Sequence, residues 1–208
     1  MTTILSPKAK QTLLERRTHT HTHGKAGAAW VERLPQLITT VGDKWSLRLE
    51  PHFDNLTYNY VAPCQLADGT RAVLKLAFPD DSESATEIEA LRHFSGHGCV
   101  RLIDADTRLG AALTQRADPG LPVSTLHDDS AEVHATVSVM RAAWRPPPEN
   151  SPFPTMADWF ERVAKRAETR SLRYDWLDAG IALGRQLVTQ PTSPAVLLHG
   201  DLHHDNIL

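Results

Sequence analysis

The spacing of apolar residues along the chain predicts helices first, then strands, then helices again. Helical spacing predicts a short amphipathic helix over 6–17 and a second helix over 26–39, which Pro35 is expected to interrupt. From Trp45 onward apolar and polar residues alternate, which is typical of strands. Helical spacing returns over 84–94 and dominates from residue 131 to residue 188.

The alternating stretches predict one small sheet with a helix inserted into it. The five predicted strands are 45–49, 58–62, 71–78, 100–105 and 110–115. The first three follow each other through short connections, one with the turn signal Asp68-Gly69, and therefore form an antiparallel meander. A linker over 116–122, centred on Pro119-Gly120, then leads into helical sequence, so the fold class is α+β with a hinge.

The composition is that of an ordinary globular protein and excludes several classes of partner. The 208 residues contain 23% charged and 41% hydrophobic residues, and the formal net charge is −3. This charge does not favour nucleic acid or a membrane surface as a partner, and no apolar stretch is long enough to cross a bilayer. Cys64 and Cys99 have neither metal nor disulfide spacing, and the start lacks a secretion signal, so a cytoplasmic location is expected.

Lys75 stands in the middle of the third predicted strand, where its charge is costly to bury without a partner. A lysine that protects an edge strand from aggregation would explain it without any chemistry. The helix over 84–94 offers another explanation, because Glu87 shares a face with Leu91 and Phe94 whereas Glu89 does not. A strand lysine paired with a helix glutamate is the arrangement by which kinase-type lobes bind nucleotide phosphates.

The last ten residues, His199–Leu208, carry the densest candidate chemistry. Apolar residues 195–198 precede them, and Ile207-Leu208 begin a further apolar run that reads as the start of a strand. Asp201 and Asn206 stand five positions apart, the spacing that protein-kinase-type phosphotransferases use for a catalytic base and a metal-holding amide. A polar turn before a buried strand is the alternative, and it does not account for both residues.

The tract His19–His23, with histidine at alternate positions, invites a metal hypothesis. Alternation in a flexible tail does not preorganise a site, so adventitious binding is the favoured interpretation. A metal-binding module remains an alternative, which removal of the tract would test.

These parts together resemble the aminoglycoside and hydroxyurea phosphotransferases, most closely the streptomycin 6-kinase-like branch. The resemblance runs from about Gly24 to the last residue. Its matching segments are Ala29-Trp30, Leu34–Leu37, Asp68-Gly69, Ala72–Leu76, Glu87–Leu91, Gly98–Leu102, Pro119-Gly120 and His199–Asn206.

The resemblance implies a protein-kinase-like two-lobed fold that uses ATP and Mg²⁺ to phosphorylate an alcohol group of a small molecule, such as streptomycin or hydroxyurea. Carried over by position, Lys75 would bind phosphates and Glu87 would orient Lys75. Asp201 would be the catalytic base and Asn206 a Mg²⁺ ligand. The adenine is expected at the hinge, against main-chain groups of Gln115, Arg116 and Ala117.

The expected organisation is a tail with the histidine tract over 1–24, a nucleotide-binding lobe over 25–117, a hinge over 118–122 and a helical lobe over 123–208. The chain departs from the family pattern in two places. The connection after the first strand has no glycine-rich loop, so Asn55 and Thr57 are the candidates for phosphate contact. The metal-binding aspartate expected after the closing loop does not occur before Leu208, so a truncated chain with little or no activity is expected. A non-catalytic remnant or a nucleotide-binding pseudoenzyme is the alternative.

Overall fold

The computed structural model describes residues 5–19, 24–78, 82–171, 174–190 and 193–208. Six helices and five strands lie within these ranges, with short 3-10 turns at Val123–Leu126 and His204–Asn206. In chain order they are α1 (Pro7–His19), α2 (Gly24–Lys44), β1 (Arg48–Leu49), β2 (Tyr60–Gln65), β3 (Arg71–Leu76), α3 (Ser82–Phe94), β4 (Leu102–Asp106), β5 (Ala111–Gln115), α4 (Asp129–Ala143), α5 (Met156–Thr169) and α6 (Asp175–Thr189).

The five strands form one antiparallel sheet in the order β1-β2-β3-β5-β4. The predicted α+β class, the meander of the first three strands and the inserted helix α3 are confirmed. β3 is the central strand, and Lys75 pairs across the sheet with Val61 on one side and Ala112 on the other. The alternation within β3 is also as predicted, because Leu74 and Leu76 are fully buried.

The core lies between the sheet and the two N-terminal helices. α2 contributes an apolar stripe at helical spacing, and the central strands contribute their buried positions. The stripe consists of Trp30, Val31, Leu34, Ile38 and Val41. Burial of each large side chain stabilises the fold by about 1.5–3 kcal/mol, so this stripe holds α2 on the sheet.

The predicted interruption at Pro35 is wrong, because α2 continues as one helix from Gly24 to Lys44 with Pro35 inside it. Proline removes one backbone hydrogen bond and normally breaks an isolated helix. Here Pro35 is exposed on the outer face, whereas Leu34 and Ile38 beside it are buried. The buried stripe outweighs the local preference, since most helical stability in proteins comes from packing.

The residues of α1, which the sequence placed in the N-terminal tail, pack on the core cluster. Leu13 has no exposed surface and Ala9 is buried, and both belong to the core cluster. Lys10 also forms a 2.8 Å ion pair with Glu32 of α2. The helix predicted over 6–17 therefore exists, as Pro7–His19, and it packs on α2 with Leu13 in the core.

The described chain divides into two compact units. One contains the residues up to Ala143 together with His199–Leu208, and the other is Trp144–Leu198. These divisions do not coincide with the hinge expected over 118–122, and the lobe boundaries stay a prediction. No helix in the described ranges is both long enough and apolar enough to span a membrane.

The Trp144–Leu198 unit is built on the pair α5 and α6. Thr155 begins α5 with a capping box, in which its hydroxyl accepts from Asp158 N–H and the Asp158 carboxylate accepts from Thr155 N–H. The Phe160 ring lies so close to Gly184 that an added Cβ would be 2.3 Å from it. The sequence thus places its smallest residue where the two helices approach each other most closely.

Asp106 is a buried polar residue, only 8% exposed, at the end of β4. It accepts hydrogen bonds from the Lys44 ammonium at the end of α2 and from the backbone amides of Arg108 and Leu109. The bond from Lys44 holds the pKa of the Asp106 carboxyl below its usual value, and the Leu109 amide acts in the same direction. This carboxylate links α2 to the β4–β5 turn.

Replacement of Asp106 by asparagine is therefore expected to produce a pH-dependent loss of stability. The contribution of the carboxylate is complete above the pKa of an unfolded aspartate, about 3.9, and disappears as the pH falls through the lower folded value. We expect Asp106→Asn to lower the free energy of unfolding by about 1–2 kcal/mol at pH 7, with a narrowing difference below about pH 4. Urea unfolding at pH 7 and at several values below pH 4 measures the difference, with Asp104→Asn, an exposed position on the same strand, as the control. A loss in the free energy of unfolding that does not change with pH would contradict the role given to the Asp106 carboxylate.

Candidate active site

Lys75 and Glu87 form the predicted ion pair. Lys75 Nζ donates to both carboxylate oxygens of Glu87, at 2.7 and 2.6 Å. Glu89, which lies off the face of Leu91 and Phe94, is exposed and pairs instead with Arg92 on the same helix. The pairing is confirmed, and the face of α3 that carries Glu87 is the reason for it.

The position of Lys75 on the central strand excludes its interpretation as an edge-strand lysine. Its side chain is 28% exposed and that of Glu87 is 42% exposed, so the pair is open to solvent on one side. An ammonium group has three N–H donors, and contact with Glu87 does not use them all. A donor therefore remains for an anionic ligand, while Glu87 fixes the direction of the side chain.

The connection between β1 and β2 is the segment predicted to cover the nucleotide phosphates. Asn55 and Thr57 lie in it with exposed side chains, on either side of Leu56, which is buried in the core. Burial of Leu56 turns its two polar neighbours outward. The arrangement leaves Asn55 and Thr57 available to a ligand, and their contact with phosphate stays a prediction.

The predicted adenine-binding segment continues β5 as an extension of the sheet. The amide of Gln115 donates to the carbonyl of Arg101 at 2.8 Å, and the amide of Arg116 donates to the carbonyl of Arg71 at 3.3 Å. Two of the three predicted backbone donors are thus engaged within the fold. The Ala117 amide is the remaining predicted donor of this segment, and its contact with a base stays a prediction.

Gly120 closes the linker after this segment in a way that another residue would disturb. Its φ is +65°, and an added Cβ would be 2.8 Å from the carbonyl oxygen of Ala117. Arg116 is fastened to Glu50 at 3.2 Å, and Arg71 pairs with Asp118. The linker is therefore held by two ion pairs at its start.

The closing loop is a compact turn organised by two histidines. Gly200 has a φ of +83°, which reverses the chain between His199 and Asp201. The ring nitrogen Nδ1 of His199 accepts from the Asp201 amide at 3.3 Å, and Nδ1 of His203 accepts from the Asp205 amide at 3.4 Å. Sequence reasoning did not assign these two side chains. The sequence feature that could have indicated them is that a histidine stands two residues before each aspartate of this loop.

Asp201 and Asn206 are in direct contact. The side-chain nitrogen Nδ2 of Asn206 donates to the Asp201 carbonyl oxygen at 2.7 Å and to its carboxylate oxygen Oδ2 at 3.3 Å. The 3-10 turn His204–Asn206 produces this contact by bringing the chain back toward Asp201. With Nδ2 engaged, Oδ1 of Asn206 is the atom that can meet a cation.

The end of the loop differs from the prediction in one respect. Ile207-Leu208 do not form a strand, because no neighbouring strand pairs with them in the described structure. Ile207 is nevertheless buried, and its carbonyl accepts from the Val123 amide at 2.8 Å. This bond fastens the loop to the chain that follows the linker. The loop and the Lys75–Glu87 pair belong to the same compact unit.

The oxygen donors of this loop suit a hard cation. Mg²⁺ prefers oxygen ligands and is commonly held by one or two protein groups together with substrate phosphates, so Asn206 Oδ1 is a fitting donor. No cluster of three or more His, Cys, Asp or Glu side chains suited to a metal occurs in the ranges that the structure describes. Of the histidine tract, residues 20–23 lie outside the described residues, and His19 ends α1.

Comparison with known proteins supports the resemblance. The sequence model of the family described as aminoglycoside/hydroxyurea antibiotic resistance kinase matches residues 49–208. No solved structure matches the chain.

Two curated relatives are similar over most of the chain. A streptomycin 6-kinase of Streptomyces glaucescens is 34% identical over 194 residues, which cover 89% of this chain and 61% of the relative. A hydroxyurea phosphotransferase of Kitasatospora aureofaciens is 35% identical over 201 residues, covering 89% of this chain and 56% of the relative. The chain thus spans about three-fifths of the length of the curated relatives it matches.

The partial exposure of the Lys75–Glu87 pair predicts a small contribution to stability. Exposed or half-exposed ion pairs are worth at most about 1 kcal/mol. In a double-mutant cycle with Lys75→Met and Glu87→Gln, we expect a coupling in the free energy of unfolding below that value. Urea unfolding of the four proteins gives the coupling. A coupling of several kcal/mol would show that the pair is mainly a structural brace.

Proposed function

The chain belongs to the aminoglycoside/hydroxyurea antibiotic resistance kinase family, and we propose on that basis that it transfers the γ-phosphoryl group of ATP to a hydroxyl group of a small molecule. The acceptor is an aminoglycoside such as streptomycin, or hydroxyurea, the two substrates that the names of its relatives give. The observation that supports this most is that two separate motifs each form a side-chain contact that phosphoryl transfer needs. These contacts are Lys75 with Glu87 and Asn206 with Asp201. A cytoplasmic location and the absence of nucleic-acid partners belong to the same proposal.

The first pair would hold the nucleotide. Lys75 meets the α- and β-phosphates with the donor that Glu87 leaves unused, and the Glu87 carboxylate keeps the ammonium in place. Asn55 and Thr57 meet the phosphates from the β1–β2 connection. The adenine lies against the main chain of Gln115–Ala117, where the Ala117 amide is the donor and carbonyl oxygens are the acceptors.

The second pair would carry the chemistry. The acceptor hydroxyl oxygen forms a bond to the γ-phosphorus while the bond from that phosphorus to the bridging oxygen breaks, and ADP leaves. The hydroxyl proton goes to the carboxylate of Asp201, whose side chain is 82% exposed and so accessible to an acceptor. Asn206 keeps Asp201 in position through Nδ2 and offers Oδ1 to Mg²⁺. When bound, the cation supplies neutralisation of the phosphate charge.

We propose that residues 1–208 taken alone bind Mg·ATP weakly and do not phosphorylate streptomycin measurably. Asn206 is the one metal ligand assigned within them, and Mg²⁺ sites of this chemistry use a carboxylate as well. Nucleotide titration and product analysis by mass spectrometry check both parts. Robust turnover by these residues alone would contradict the proposal and would require another metal ligand among them.

The role of Asp201 is tested on the product of the whole gene, read to its stop codon. We expect Asp201→Asn to lower kcat by about 10²–10⁴-fold with little change in KM, because a general base acts in the transition state and not in binding. Release of ADP with streptomycin or hydroxyurea as acceptor measures the rate. Asp205→Asn is the matched control, since Asp205 is an exposed aspartate of the same loop. An Asp201→Asn variant as active as Asp205→Asn would sink the assignment.

A further inference from the structure

α1 lies outside the residues that the family model matches, yet it contacts the loop that the proposed function places over the phosphates. The loop is the β1–β2 connection, Glu50–Asn59. One contact is made by Ser6, directly before α1, and the other by Arg16, near its end. The two contacts are three turns of helix apart, so α1 is fastened along the loop and not at a single point.

The first contact joins Ser6 to His52. The ring nitrogen Nε2 of His52 accepts from the Ser6 hydroxyl at 3.1 Å and from the Ser6 amide at 3.3 Å. The other nitrogen, Nδ1, donates to the Phe53 carbonyl at 2.9 Å. A carbonyl can only accept, so Nδ1 carries a proton, and an amide can only donate, so Nε2 offers its lone pair, which the Ser6 hydroxyl and the Ser6 amide share. Ser6 also caps α1, because its hydroxyl oxygen accepts from the Ala9 amide at 3.2 Å.

The second contact joins Arg16 to Tyr58. The Arg16 guanidinium lies 5.8 Å from the centre of the Tyr58 ring, within the range of a cation–π interaction. Asn55 and Thr57, the two side chains predicted to meet the phosphates, lie between His52 and Tyr58 in the sequence. The segment that would contact the nucleotide is therefore held at both of its ends by the same helix.

Both partners of this attachment are themselves fixed to the core. Leu13 of α1 has no exposed surface, and Leu56 in the loop is 7% exposed. The sheet holds the start of the loop through the bonds from Glu50 N–H to the Pro63 carbonyl and from Phe53 N–H to the Val61 carbonyl. Phe53 is the last loop residue that donates a backbone hydrogen bond to β2. The two contacts with α1, at His52 and Tyr58, lie at either end of the stretch that follows.

We propose that α1 is a positioning element that holds the phosphate-covering loop in its binding conformation through Ser6–His52 and Arg16–Tyr58. The consequence for nucleotide binding rests on the proposed function. A glycine-rich loop reaches phosphates with its flexible backbone, whereas this loop has no glycine and must present side chains. Side chains contact a ligand well only if their backbone is ordered beforehand, and α1 supplies that order.

Two pairs of variants of the full chain test the inference. His52→Ala removes the ring contacts and His52→Gln keeps a donor and an acceptor, while Tyr58→Leu removes the ring and Tyr58→Phe keeps it. Hydrogen exchange of residues 50–59 without ligand reports the attachment, and titration with Mg·ATP reports its consequence. We expect faster exchange and roughly three- to tenfold weaker nucleotide affinity in His52→Ala and Tyr58→Leu, the effect of one lost polar contact, with near-normal values in the conservative variants.

The outcomes separate the inference from the function it rests on. Unchanged exchange in His52→Ala and Tyr58→Leu would overturn the inference, as would faster exchange with unaltered affinity. Equal losses in Tyr58→Phe and Tyr58→Leu would assign the effect to the hydroxyl and not to α1. If the wild-type chain binds no nucleotide, the proposed function fails, and the exchange rates alone then decide whether α1 holds the loop.

Discussion

The ion pair between Lys75 and Glu87 is the interaction on which the rest of the site depends. Lys75 stands on the central strand with its side chain 28% exposed, so its ammonium group can meet a ligand from the solvent side. Glu87 fixes the direction of that ammonium group because α3 is inserted between β3 and β4 and turns this face toward the sheet. The apolar stripe of α2 and the buried residues of β3 hold the sheet that makes the meeting possible.

The elements of the first compact unit were predictable because local patterns determine them. Alternation identified the strands, and the three- and four-residue spacing chose Glu87 over Glu89 as the partner of Lys75. Predictions failed where distant packing decides the outcome. Pro35 remains inside a helix because Leu34 and Ile38 are buried, and α1 is part of the core because Leu13 meets residues far along the chain. No local pattern indicates the contact between Ser6 and His52, which are 46 positions apart.

In the closing loop a few residues bring Asp201 and Asn206 together. Gly200 reverses the chain, and a short turn returns Asn206 to Asp201. The spacing of Asp201 and Asn206 indicated that they belong to one site, and the Asn206 side chain is in direct contact with Asp201. The supporting histidines were not predicted, since their role is to accept backbone amides and depends on the turn itself. In the proposed mechanism the loop supplies a base and a metal ligand, and the Lys75–Glu87 pair supplies the phosphate contact.

The central claim is that Lys75 and Asn206 serve one Mg·nucleotide site by different means. Calorimetric titration of ATP into the wild type, Lys75→Met and Asn206→Ala, each with and without Mg²⁺, tests it most directly. The account predicts that Lys75→Met weakens binding under both conditions, whereas Asn206→Ala removes only the increase in affinity that Mg²⁺ produces. Equal affinities of all three proteins with Mg²⁺ present would contradict it.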